Sequence, residues 1–69
     1  MQIILSILLY LNVISSPGTY TSINIQNDVI SNQTAVSNVQ SNMTLLNYVV
    51  TTYKKQASGI NILDDGQLR

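Results

Sequence analysis

Residues 3–14 read Ile-Ile-Leu-Ser-Ile-Leu-Leu-Tyr-Leu-Asn-Val-Ile, an apolar run interrupted only by Ser6, Tyr10 and Asn12. As a helix such a run reaches about 18 Å, well short of the roughly 30 Å hydrocarbon core of a bilayer. Its length suits the apolar region of a secretory signal, which needs only about 7 to 15 residues. Small residues follow at Ser15 and Gly18, where cleavage would occur, although Gln2 stands where a basic residue is usual. A short membrane anchor and a buried core helix of a larger assembly are the other readings of this run. Residues 1–16 are therefore expected to form an apolar signal or membrane-anchor segment.

Ser15-Ser16-Pro17-Gly18 is the strongest punctuation in the chain. Proline removes a helix donor and glycine tolerates backbone that other residues avoid, so a boundary belongs here. Residues 17–27 read as a linker, with an alternation of Tyr20, Ile23 and Ile25 that also fits a short extended stretch.

From residue 28 the period lengthens. Val29, Val36, Met43 and Val50 fall seven apart, and Val39, Leu46 and Tyr53 take the position three residues further on. That is an a/d seam, and it predicts one long amphipathic interaction helix over residues 28–57. Asn32 is the polar intruder at a d position. Asn27 or Asp28 can cap the start, Lys54 and Lys55 suit the negative end of the helix dipole, and Ala57-Ser58-Gly59 supplies the stop. Leu45, Tyr48 and Val49 widen the apolar stripe beyond a narrow seam, as a helix laid on a broad surface requires. Positions that usually carry Glu and Lys in a self-zipper hold Gln40, Asn42, Asn47 and Val49 instead. The seam can serve self-association or docking on another body.

Intrinsic propensity opposes this helix. Asn, Ser, Thr and Val dominate residues 29–53, and their summed cost relative to alanine is on the order of 10 kcal/mol. Burial of the seam, at roughly 1.5 to 3 kcal/mol per fully buried large apolar side chain, is what can offset it. The helix should therefore be unstable alone.

In residues 58–69, Ile60-Asn61-Ile62-Leu63 reads as a strand and Asp64-Asp65-Gly66 as a tight hairpin turn, with Gln67-Leu68-Arg69 beginning the return. The predicted fold is mainly α: an apolar N-terminal segment, one long amphipathic helix, and a short incomplete β-hairpin at the C-terminus.

Composition narrows the chemistry. Sixty-nine residues carry no Cys and no His, and the six charged side chains, Asp28, Lys54, Lys55, Asp64, Asp65 and Arg69, sum to zero. One Lys pair and a terminal Arg cannot supply the field that tracks nucleic-acid phosphates, so no nucleic-acid partner is expected. A neutral surface rich in Asn, Gln, Ser and Thr favours association. The adjacent carboxylates of Asp64 and Asp65 are accounted for by the turn, and a helix-terminal Lys54 reads as solvated rather than as a Schiff-base nucleophile. No catalytic, metal-binding or cofactor-binding constellation is written in the chain, and no small-molecule substrate is implied. Asn32-Gln33-Thr34 and Asn42-Met43-Thr44 match the N-glycosylation acceptor pattern. In a chain so rich in Asn and Thr such matches arise easily by chance, and a glycan on Asn32 would obstruct the proposed seam.

The stretch Asn42-Met43-Thr44-Leu45-Leu46-Asn47-Tyr48-Val49-Val50, followed by Tyr53, Gly59, Asp64 and Leu68, resembles the start of the PilM family, small membrane-anchored accessory proteins of conjugative thin type IV pili. The likeness covers residues 39–69 and departs from the family at Leu46-Asn47 and at Pro17-Gly18. It implies a pilus-assembly role at the bacterial inner membrane, with the helix facing the periplasm. The expected function is that of a non-enzymatic, exported or membrane-anchored structural component, bound to protein partners through the seam, self-association included, and touching membrane through residues 3–14. The alternative is a virion or phage structural peptide packed into a capsid or tail assembly.

Overall fold

The computed structural model describes residues 2–63. Its elements run α1 (Gln2–Tyr10), β1 (Gly18–Thr21), α2 (Ser22–Ser31), α3 (Gln33–Ser41), α4 (Met43–Ser58) and β2 (Ile60–Leu63). The chain is mainly helical, with one short two-stranded sheet.

Asn12, rather than the later proline, stops α1. It takes a left-handed backbone with φ 65°, a conformation that asparagine tolerates better than most residues. Its N–H donates to the Leu9 carbonyl at 3.1 Å, and the next N–H, of Val13, reaches back to the Leu8 carbonyl at 3.0 Å. These are the two bonds of a Schellman stop, and they satisfy carbonyls the helix end leaves open. The apolar run thus yields a nine-residue helix followed by a loop, in place of one twelve-residue segment.

A capping box starts α2. The Thr21 hydroxyl accepts from the Asn24 N–H at 3.0 Å, and the Asn24 side chain accepts from the Thr21 N–H at 3.3 Å. The helix is therefore capped at Thr21, ahead of the Asn27 or Asp28 cap that the sequence suggests. Most of the expected linker is consequently structured, as β1 and the first turns of α2.

The single helix expected over residues 28–57 is broken twice, and asparagine stands at both breaks. At Asn32 the backbone turns to φ −116°, ψ 26°. Both its main-chain N–H and its side-chain Nδ2 donate to the Asp28 carbonyl, at 3.1 and 2.9 Å. At Asn42 the backbone becomes extended, φ −108° and ψ 99°, and the side-chain oxygen accepts from the Leu45 N–H to open α4. Asparagine side chains bond local backbone in place of the helix ladder, which is why they favour ends over interiors. The expected stop does fall at Ser58-Gly59.

β1 and β2 pair in parallel, with Gly18 opposite Ile60, Thr19 opposite Asn61, Tyr20 opposite Ile62 and Thr21 opposite Leu63. Three helices form the crossover between them. The strand expected at Ile60–Leu63 is present, but its partner comes from the expected linker. The hairpin turn and return of residues 64–69 lie outside the described residues.

The core forms where α1 lies against α4, the largest helix contact in the fold. All of Leu5, Ser6, Ile7, Leu8 and Leu9 are buried, so α1 is enclosed on every side over more than a full turn. Ile14, Ile25, Val36, Val39, Val49, Ala57 and Ile60 complete the core, and Tyr10 meets Tyr53 edge-on at 6.2 Å between ring centroids.

Candidate interaction surface

The helix breaks shift the phase of everything that follows them, and the predicted seam residues consequently separate. Val36 and Val39 are buried in α3. Val29, Leu46 and Tyr53 are partly buried and pack against the core, and Val50 is half-buried. Met43 is 68% exposed. The seven residues do not form one continuous outward stripe, and most of them are turned toward the protein's own interior.

In α4 the inward line is Leu45, Val49, Tyr53 and Ala57, spaced by four, with Leu46 beside it. Val49, which the sequence presents only as a widening of the stripe, is fully enclosed. A spacing of four residues follows one helix face directly, whereas the seven-residue rule supposes an unbroken helix wound on a partner.

Large apolar side chains that do face outward are Ile3, Tyr10, Ile23, Ile30, Met43 and Tyr48. Sequence reasoning placed only Met43 of these in the seam. Ile23 and Ile30 lie seven apart on α2, two turns along one face of that helix, and Ile30 is 63% exposed. The signal that could have found them is the capping box at Thr21, which fixes where α2 begins and therefore which way each isoleucine points. A groove of about 350 Å³ lies between α1 and α2, lined by Ile4, Ser22, Ile25, Gln26 and Val29.

Ionisable groups are sparse around these features. Lys54 and Lys55 are exposed at the end of α4 and Asp28 is half-buried in α2. Among the described residues no group of three His, Cys, Asp or Glu comes together as a metal site. The arrangement offers apolar area and amide or hydroxyl hydrogen bonding, both of which serve surface recognition.

The loop after α1 is tied down. The Tyr20 hydroxyl accepts from the Ser15 N–H at 3.1 Å, and the Ser16 hydroxyl donates to the Gln56 carbonyl at 2.8 Å. Both serines sit where a signal cleavage would fall, held to β1 and α4 by these bonds. Among the described residues no helix is long and apolar enough to cross a membrane.

Comparison with known proteins finds no family model, curated protein or solved structure that matches this chain.

Proposed function

We propose that this chain is a non-enzymatic structural component of an exported assembly, joined to its neighbours through outward apolar side chains on its helices. The observation that carries this reading is the exposure of Ile23, Ile30, Met43 and Tyr48 on two helices whose charged side chains are Asp28, Lys54 and Lys55. Exposed apolar groups on a strongly charged protein are held apart by repulsion. Here that repulsion is missing, and covering those groups lowers the free energy of association.

Two forms of the assembly follow from the sequence. In the pilus form, suggested by the likeness of residues 39–69 to PilM-type proteins, residues 3–14 would anchor the chain in the inner membrane. In the virion form, the apolar N-terminus is used inside protein. The enclosure of residues 5–9 beneath α4 favours the second, because it leaves only Ile3 and Tyr10 of α1 as large outward apolar side chains to meet lipid. Carbonate extraction of membranes from cells making the full chain separates the two: resistance supports the anchor, and release supports packing within protein.

The assembly reading itself is tested with Ile30→Asp, Met43→Asp and Tyr48→Asp combined in the full chain. Each carries an exposed side chain, so helicity by circular dichroism should persist. The wild-type chain should be recovered from its host in a complex that the triple variant fails to enter. Recovery of both as the same free monomer, at every concentration sampled by sedimentation, would overturn the proposal.

A further inference from the structure

Two asparagines carry the Asn-x-Thr acceptor pattern, and the fold treats them differently. We propose that Asn42 is an N-glycan acceptor in the folded chain and that Asn32 is not. The inference rests on the export reading for its occurrence in a cell, and on the geometry of the two sites for the choice between them.

Asn32 is half-buried at the joint of α2 and α3, and its Nδ2, the atom a sugar would be joined to, donates to the Asp28 carbonyl at 2.9 Å. Attachment there would place a bulky polar group against the helix backbone beside Val29 and Val36, which pack in the core. Asn42 stands in extended backbone between two helices, and residues 40–44 are all exposed, Thr44 of the acceptor pattern included. Its side-chain oxygen accepts from the Leu45 N–H at 3.1 Å, while its Nδ2 has no hydrogen-bond partner among the described residues. Surface turns are where this modification is accommodated.

The chemistry leaves the helix cap intact. The Asn42 amide nitrogen attacks the anomeric carbon of a lipid-pyrophosphate-linked oligosaccharide. The N–C bond forms, the C–O bond to pyrophosphate breaks with its electron pair on the departing phosphate, and one amide proton passes to base or solvent. Nothing is oxidised or reduced. The carbonyl oxygen survives as an acceptor, so α4 keeps its first-turn bond. The sugar would lie beside Met43 and shield it, which would leave Ile23, Ile30 and Tyr48 as the apolar contacts for assembly.

The test incubates the folded, full-length chain with a purified oligosaccharyltransferase and a lipid-linked oligosaccharide, followed by intact mass and peptide mapping. Peptides covering each acceptor pattern alone serve as unfolded references. Transfer to Asn42 should exceed transfer to Asn32 by about tenfold or more in the folded chain, because Asn32 must first open locally, while the two peptides are modified at similar rates. N42Q should abolish modification of the folded chain and N32Q should leave it unchanged. Equal occupancy of both sites in the folded chain, or no transfer to Asn42 while its peptide is modified, would overturn the assignment. Expression of the chain with its own N-terminus in secretory cells then addresses export separately: an unmodified product there, from a chain whose Asn42 accepts sugar in vitro, defeats the export reading and not the acceptor site.

Discussion

Asparagine decides the local geometry of this chain more often than any apolar residue does. Asn12 ends α1 in left-handed backbone, Asn24 closes the capping box of α2, Asn32 bends the path into α3, and Asn42 opens α4. At Asn24, Asn32 and Asn42 a short amide side chain bonds nearby main chain at a helix end, whereas Asn12 acts through its backbone conformation. The left-handed position gives a sharp test. Asn12→Gly should be neutral or slightly stabilising, since glycine reaches φ 65° without a Cβ clash, whereas Asn12→Val should cost about 1–2 kcal/mol. Urea denaturation of the two variants checks it, and equal midpoints would mean that the Schellman stop contributes little. These asparagines are visible in the sequence, but their roles are not. The same residue at a d position of a continuous heptad is read as a register device, and only the neighbouring hydrogen bonds show that the helix bends there instead.

At the scale of elements, the question is which face each helix buries. The heptad reading directs Val50 inward, and the fold directs Val49 inward. The one-residue difference follows from the break at Asn42, which restarts α4 with its own phase and seats it on α1. Val49→Ala should therefore cost about 2 kcal/mol, from the transfer of two methyl groups and a partly unfilled space. Val50→Ala should cost well under half of that. Chemical denaturation of both decides between the two phases, and a larger loss at position 50 would restore the heptad. The parallel strand pair was out of reach at this scale for a related reason. Ile60–Leu63 is legible as a strand from its own residues, but its pairing with Gly18–Thr21 joins segments about forty residues apart and is set by how α2, α3 and α4 return the chain. Gly18 belongs to this pairing: a Cβ there would lie 2.9 Å from both the Ser15 carbonyl and the Tyr20 ring, too close for either to stay in place.

The described residues measure 41 × 24 × 16 Å, a thin body with little interior. Chains of this size bury a modest share of their surface and are correspondingly marginal. Among the described residues, residues 5–9 supply four of the eleven buried apolar side chains, so the N-terminal helix is the largest single contributor to the core. Any process that removes residues 1–16 removes that contribution, and the remaining helices, poor in intrinsic propensity, would lose the surface that orders them. The sparse, balanced charge makes a further prediction about the proposed assembly at this scale. Association driven by apolar burial should be nearly insensitive to sodium chloride between low and moderate ionic strength, and should strengthen in sulfate, which is excluded from protein surface. Sedimentation equilibrium across those salts checks it; a steep loss of association with sodium chloride would show that charge, and not apolar area, holds the assembly together.

What the sequence determined by itself is local: a helix-forming apolar run, a helix end at Ser58-Gly59, a strand at Ile60–Leu63, and a chain with six charged side chains and no His or Cys. Each of these depends on residues within a turn or two of one another, so pattern and capping rules reach them. The tertiary structure alone decided that α1 is enclosed by α4, that three helices replace one, and that Val36, Val39 and Val49 face inward while Ile30 and Met43 face out. Those outcomes depend on which surfaces meet after the chain has turned back on itself, and a short apolar run carries the same residues whether a bilayer, a partner or its own fourth helix covers it.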